Sequence, residues 1–189
     1  MKIYCFGDSN TYGYDPRSFL GERFPAEDCW VNILSEKFLC SVVNDGENGR
    51  EIPGKKWEME ALGSFLYKHS PIDLLLVMLG TNDLLQGNSV TEVTERMARF
   101  LQQIPLEKEK VLLIGPPQLK RGAWVPDEEL VIASQQLNEA YKQLAARLDV
   151  RFVDAGQWDL PVAFDGVHLT QQGHRIFADE LFNYLKEGE

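Results

Sequence analysis

The sequence predicts an α/β protein: a parallel sheet covered by helices on both faces. Three observations carry this reading. Five β-rich segments alternate with stretches of helical periodicity along the 189 residues. The third segment, residues 72–79, is apolar at every position from Leu74 onward, as a central strand buried on both faces requires. Small, polar or titratable residues follow each strand-like run, and so collect along one edge of the sheet, where ligands of such sheets bind.

The elements follow in order. Residues 2–6 form the first strand and lead into Gly7-Asp8-Ser9-Asn10. Trp30, Ile33, Leu34 and Phe38 then share one face of a helix. The second strand, residues 41–44, is followed by Asn44-Asp45-Gly46-Glu47-Asn48-Gly49-Arg50. Pro53 suits the first turn of a helix running through Trp57 and Leu62. The third strand ends in Gly80-Thr81-Asn82-Asp83. Ser89 and Glu92 have capping-box spacing and open a helix striped by Val93, Met97, Phe100, Leu101 and Ile104. After the fourth strand, residues 110–114, come Gly115-Pro116-Pro117 and a long segment to Asp127. Asp127-Glu128-Glu129 gives the next helix, carrying Leu130, Leu137, Tyr141, Leu144 and Leu148, an acidic start that suits its dipole. The fifth strand, residues 150–153, precedes Asp165-Gly166-Val167-His168 and a last helix striped by Phe177, Leu181 and Leu185, which Thr170 can cap. No repeat, linker or low-complexity stretch beyond residues 107–110 interrupts the pattern. A single domain over residues 1–189 is expected.

Composition narrows the functional classes. A formal net charge of −10 repels phosphate backbones, so nucleic acid is not an expected partner. No apolar run approaches the roughly 20 residues of a membrane span, and the apolar stretch after Lys2 ends too soon for a signal peptide. Cys5, Cys29 and Cys40 are odd in number and match no metal spacing, so buried reduced thiols in a cytoplasmic protein are expected.

A serine nucleophile needs a base within hydrogen-bond reach, and the base needs an orienting group. The chain has three histidines. His69 lies near a helix end and reads as a surface or capping residue, while His174, inside the last amphipathic helix, reads as structural. His168 lies in a loop three residues after Asp165, a spacing that can fold the carboxylate onto Nδ1 and leave Nε2 facing Ser9. Acyl transfer also needs donors for a developing oxyanion. The Ser9 N–H, the Gly49 N–H and the Asn82 side-chain amide are candidates, whereas an ionised Asp83 could only accept.

These residues resemble the four blocks of the SGNH-type, or GDSL-like, esterases: Gly7-Asp8-Ser9, Asn48-Gly49-Arg50, Gly80-Thr81-Asn82-Asp83 and Asp165-Gly166-Val167-His168. The likeness covers almost the whole chain. It is strongest to the arylesterase/acyltransferase branch, through "CFGDSNTYGY", "VMLGTND", "LLIGPP", "FVDAG" and "DGVHLT". The resemblance implies a flavodoxin-like three-layer α/β/α fold with a five-stranded parallel sheet. It also implies ester hydrolysis through an acyl-serine intermediate without metal or cofactor, with acyl transfer as a related activity. In that reading Ser9 is the nucleophile, His168 the base and Asp165 its orienter, with Ser9, Gly49 and Asn82 as the oxyanion hole. The family often has leucine where Asn10 stands.

Two other chemistries fit parts of the pattern. Ser9, Asn10 and Thr11 could cradle the phosphate of a flavodoxin-like cofactor module. Asp8, Asp83, Asp165 and His168 could ligate a metal in a phosphoesterase. A non-catalytic relative that uses the fold for binding is a third alternative. The branch resemblance implies an ester substrate with short acyl or acetyl groups; Asn10, Tyr12, Tyr14, Leu84, Leu85 and Trp124 are candidate pocket residues. Residues 115–127 are expected to form a loop over the site, or to pack against another subunit of a homo-oligomer.

Overall fold

The computed structural model describes residues 1–18 and 20–187. Five parallel strands, β1 (Lys2–Gly7), β2 (Ser41–Gly46), β3 (Leu74–Met78), β4 (Val111–Gly115) and β5 (Arg151–Asp154), lie in the order β2-β1-β3-β4-β5. The chain moves outward one way from β1 to β2, then returns to build the rest of the sheet on the other side of β1. The carboxyl ends of β1 and β3 therefore flank a topological switch point, where open parallel sheets bind ligands.

Period-two alternation assigns the two layers. Ile3, Cys5, Leu74, Leu76, Met78, Leu112 and Ile114 pack against α2 (Trp30–Phe38) and α7 (Gln171–Glu187) through Trp30, Leu34, Phe177 and Leu181. Tyr4, Phe6, Leu75, Val77, Val111 and Leu113 face the other way. They meet α3 (Lys56–Lys68), α5 (Val90–Gln103) and α6 (Glu128–Leu148) through Leu62, Met97, Phe100 and Tyr141. Every residue of β3 is buried, which is why its sequence shows no polar face. Each of its side chains contributes about 1.5–3 kcal/mol by leaving water. This is the flavodoxin-like three-layer arrangement.

Two one-turn helices, α1 (Ser9–Tyr12) and α4 (Thr81–Leu85), follow β1 and β3 directly. β2 runs past its expected end at Asn44, because Asp45 and Gly46 pair with Phe6 and Gly7. Gly46 has no substitute: a Cβ there would lie 2.1 Å from the Tyr12 amide nitrogen. α3 starts later than the proline suggested. Glu58 accepts from the N–H groups of Gly54 and Lys55 (2.8 and 2.7 Å) and so caps the helix at Lys55, leaving Pro53 in the preceding segment. The Ser89–Glu92 capping box forms, and Thr170 Oγ1 accepts from the Gly173 N–H at the start of α7. Among the described residues no helix is long and apolar enough to cross a membrane.

Candidate active site

The turn after β1 is organised by Asp8. Its backbone carbonyl accepts from Thr11 and Tyr12, its Oδ1 accepts from the Asn10 N–H at 2.9 Å, and Gly13 ends α1 in the left-handed conformation. Ser9 is thereby held at the first helical position, where backbone N–H groups have no intrahelical acceptor. Burial pushes the Asp8 carboxyl up to about 6, against the pull of the Asn10 N–H, His168 and Arg50.

The loop before α7 is folded by Asp165. Its Oδ1 accepts from the N–H groups of Val167 and His168 at 2.8 and 3.0 Å, while Oδ2 lies 2.8 Å from His168 Nδ1. Gly166, at φ +83°, makes the tight turn possible. Burial raises the Asp165 carboxyl, but the His168 ring and the two backbone donors outweigh it and hold it below the usual range. An ionised carboxylate only accepts, so Nδ1 donates to Asp165, and in the tautomer that carries only this proton Nε2 is the acceptor. Nε2 lies 3.0 Å from Ser9 Oγ, which donates to it. The structure thus joins Ser9, His168 and Asp165 in one buried hydrogen-bonded chain.

Aromatic rings confine the imidazole. Tyr14 stands with its ring centroid 4.5 Å from that of His168, and Trp124 meets it edge-on at 5.2 Å. Trp124 belongs to the segment expected over the site. That segment is strapped to the His168 loop by hydrogen bonds from Lys120, Ala123 and Trp124 N–H to the carbonyls of Gly166, Phe164 and Asp165.

The other two blocks meet beside β1. Arg50 gathers the turn after β2: it donates to the carbonyls of Gly7 (2.9 Å) and Asp45, to Asp45 Oδ1 and to Glu47, and its guanidinium stacks on Phe6. Gly49 is exposed at φ +76° with open space where a Cβ would point. Its need for glycine is therefore conformational rather than steric. Asn82, in α4, donates through Nδ2 to the Arg50 carbonyl at 3.0 Å, which ties the Gly49 turn to the end of β3. An amide nitrogen carries two N–H groups, so one is left for a further acceptor. Behind it, fully buried Asp83 accepts from the Ile52 N–H at 3.1 Å and from Arg96 at 2.6 Å. Burial raises its carboxyl, partly offset by those two donors.

A family model described as "GDSL-like Lipase/Acylhydrolase family" matches residues 5–176. The chain belongs to the GDSL-like lipase/acylhydrolase family. It is 26% identical over 209 aligned residues to the isoamyl acetate-hydrolyzing esterase of Saccharomyces cerevisiae, covering 98% of this chain and 86% of that protein. Among solved structures, a carbohydrate acetylesterase family member from Sinorhizobium meliloti superposes with a TM-score of 0.83 at 27% identity, covering 98% of this chain and 97% of that one. The aryl esterase of M. smegmatis superposes with a TM-score of 0.84 at 25% identity, covering 98% of each chain.

Within this GDSL-like chain the candidate pocket residues part company. Tyr14 and Trp124 lie against His168. Asn10 does not open to a pocket: it is 3% exposed, and its amide is spent on the carbonyl of Val167 and the N–H of Leu169. Leu84 is core, 2% exposed on the inward face of α4, and Leu85 packs against the cluster of Leu119, Val125 and Val167. The Tyr12 ring lies under the Arg23 guanidinium at 4.0 Å. Of the three residues considered as a phosphate cradle, Asn10 is turned inward, Thr11 is buried, and Ser9 is hydrogen-bonded to His168. Among the described residues no three His, Cys, Asp or Glu side chains converge as a ligand set. A cavity of about 720 Å³ opens at the Gly49 turn, lined by Gly49, Arg50, Ile52, Trp57 and Arg96 among others.

Arg50 and Arg96 were given no role by the sequence, and Asp83 was considered only as a metal ligand or as a carboxylate unable to donate. Arg50 and Asp83 stand inside matched blocks, which was a usable signal. Arg96 sits on a helix thirteen positions from its partner, and nothing local marks it. His174 is fully buried and structural, edge-on to Phe24. His69 ends α3, and its carbonyl accepts from Lys2 Nζ.

Proposed function

We propose that the protein is a serine-dependent carboxylic ester hydrolase acting through an acyl-serine intermediate. The observation that carries this is the hydrogen-bonded chain from Ser9 Oγ to His168 Nε2 (3.0 Å) and from His168 Nδ1 to Asp165 (2.8 Å). His168 takes the Ser9 proton as the hydroxyl attacks an ester carbonyl, and Asp165 stabilises the imidazolium that forms. The N–H groups of Ser9 and Gly49 and the remaining amide N–H of Asn82 receive the oxyanion. His168 then protonates the leaving alcohol, and water or another alcohol releases the acyl group by the reverse steps, so acyl transfer is an inherent second outcome.

Short acyl groups, acetyl above all, are the proposed substrates. Tyr14 and Trp124 crowd the His168 side of the serine, and the names of two relatives speak of acetates. Free cysteines, two of them buried, support a reducing, cytoplasmic setting. A fluorophosphonate probe should label Ser9, and Ser9→Ala should lose at least about 10⁴-fold in p-nitrophenyl acetate hydrolysis. Labelling of another serine, or an active alanine variant, would sink the assignment.

A further inference from the structure

We propose that Asn10 is a positioning residue, whose amide fixes the backbone on both sides of His168 and so sets the imidazole against Ser9. This rests on the serine-esterase reading above. Asn10 follows Ser9 directly, and its Nδ2 donates to the Val167 carbonyl at 3.1 Å while its Oδ1 accepts from the Leu169 N–H at 2.9 Å. Val167 and Leu169 are the neighbours of His168 in the chain, and all three are buried.

The anchor is itself fixed. The Asn10 N–H donates to Asp8 Oδ1 at 2.9 Å, and its carbonyl accepts from the indole N–H of Trp30, a core residue, at 2.8 Å. The division of labour with Asp165 is clear in the bonds. Asp165 takes the N–H groups of Val167 and His168 and the ring nitrogen, which shapes the loop internally. Asn10 takes the Val167 carbonyl and the Leu169 N–H, which sets how far the finished loop stands from the serine. One donor and one acceptor on a short stem are needed. Aspartate lacks the donor when ionised, and leucine lacks both.

The test compares wild type, Asn10→Ala and Asn10→Asp on p-nitrophenyl acetate, with fluorophosphonate labelling of Ser9 as a second readout and circular dichroism as the folding control. Misplacing a reacting group by about 1 Å costs on the order of 10²-fold. Asn10→Ala should therefore lower kcat by roughly that factor with KM within about twofold, and slow Ser9 labelling in parallel. Asn10→Asp keeps the acceptor for Leu169 but regains the donor for Val167 only when protonated. Its kcat relative to wild type should rise several-fold, roughly three to ten, between about pH 8 and pH 6. A folded alanine variant with wild-type kcat and labelling overturns the proposal. If the alanine variant does not fold, the aspartate variant decides: a ratio that does not change with pH overturns it, and a rising ratio supports it. Wild-type protein that the probe does not label at Ser9 overturns the esterase reading itself. Labelled wild type beside unaffected variants overturns the role of Asn10 alone.

Discussion

Replacing Asp165 by asparagine changes one atom and tests the polarity of the whole hydrogen-bonded chain. In the structure Oδ1 accepts from two backbone N–H groups, at 2.8 and 3.0 Å, and Oδ2 accepts from His168 Nδ1 at 2.8 Å. The asparagine oxygen keeps the two backbone donors, which fixes the side chain so that its NH₂ points at Nδ1. Two donors cannot face each other, so the imidazole adopts its other tautomer, with the proton on Nε2 aimed at Ser9 Oγ. Nε2 can then no longer accept the serine proton. By analogy with the same change in serine proteases, the loss is on the order of 10⁴-fold in kcat. That corresponds to about 5 kcal/mol of barrier. Folding should be nearly unaffected: a charge-assisted bond worth about 1.5–3 kcal/mol is lost, but so is the cost of burying a carboxylate. Asp165→Ala behaves differently, because it leaves two buried N–H groups without an acceptor at about 1–3 kcal/mol each. Initial rates on p-nitrophenyl acetate near neutral pH, beside urea midpoints, separate the two effects. An asparagine variant within about tenfold of the wild-type rate would refute the tautomer argument.

Two further outcomes follow from the same site and its surroundings. Asn82→Ala removes the side-chain donor that ties α4 to the Arg50 carbonyl; kcat should fall about 10²- to 10³-fold, and near-wild-type turnover would remove Asn82 from the oxyanion site. His174 is fully buried with neither ring nitrogen hydrogen-bonded among the described residues, and burial, helped by His168, takes it down to about 4. Its folded-state value lies below the ordinary 6.5, so its stability contribution is complete above that pH and is lost as pH falls toward 4, to the extent of roughly 3 kcal/mol. His174→Phe should flatten that acid loss in urea denaturation, and an unchanged loss would show that other groups drive it.

The strands were legible because their signal is local: short apolar runs along β1 and β4, and the longer one along β3, depend on nothing outside each segment. The edge position of Ser9, Gly49, Asn82, Asp165 and His168 followed from counting strand ends. What was not legible is side-chain direction inside one-turn helices. Asn10 and Leu84 each sit one or two positions from an exposed-looking polar group, yet both point inward, and only partners far away in sequence decide it. For Asn10 those partners are 157 and 159 positions distant. The start of α3 was misplaced for a related reason. Proline is compatible with a first turn, but Glu58 accepts from the N–H groups one and two residues later, at Gly54 and Lys55, and sets the boundary at Lys55.

The separation of Ser9 from His168, 159 positions, also bears on how the protein comes to life. Bringing together groups so far apart in sequence costs conformational entropy, which the packing of the sheet and helices between them offsets. In the proposed mechanism Ser9 acquires its base only where the loop before α7 holds His168 Nε2 against it, so the reactivity expected of Ser9 depends on contacts made 159 positions apart. On that reading, fluorophosphonate labelling of Ser9 reports the docking of the last helix as well as the chemistry of the serine.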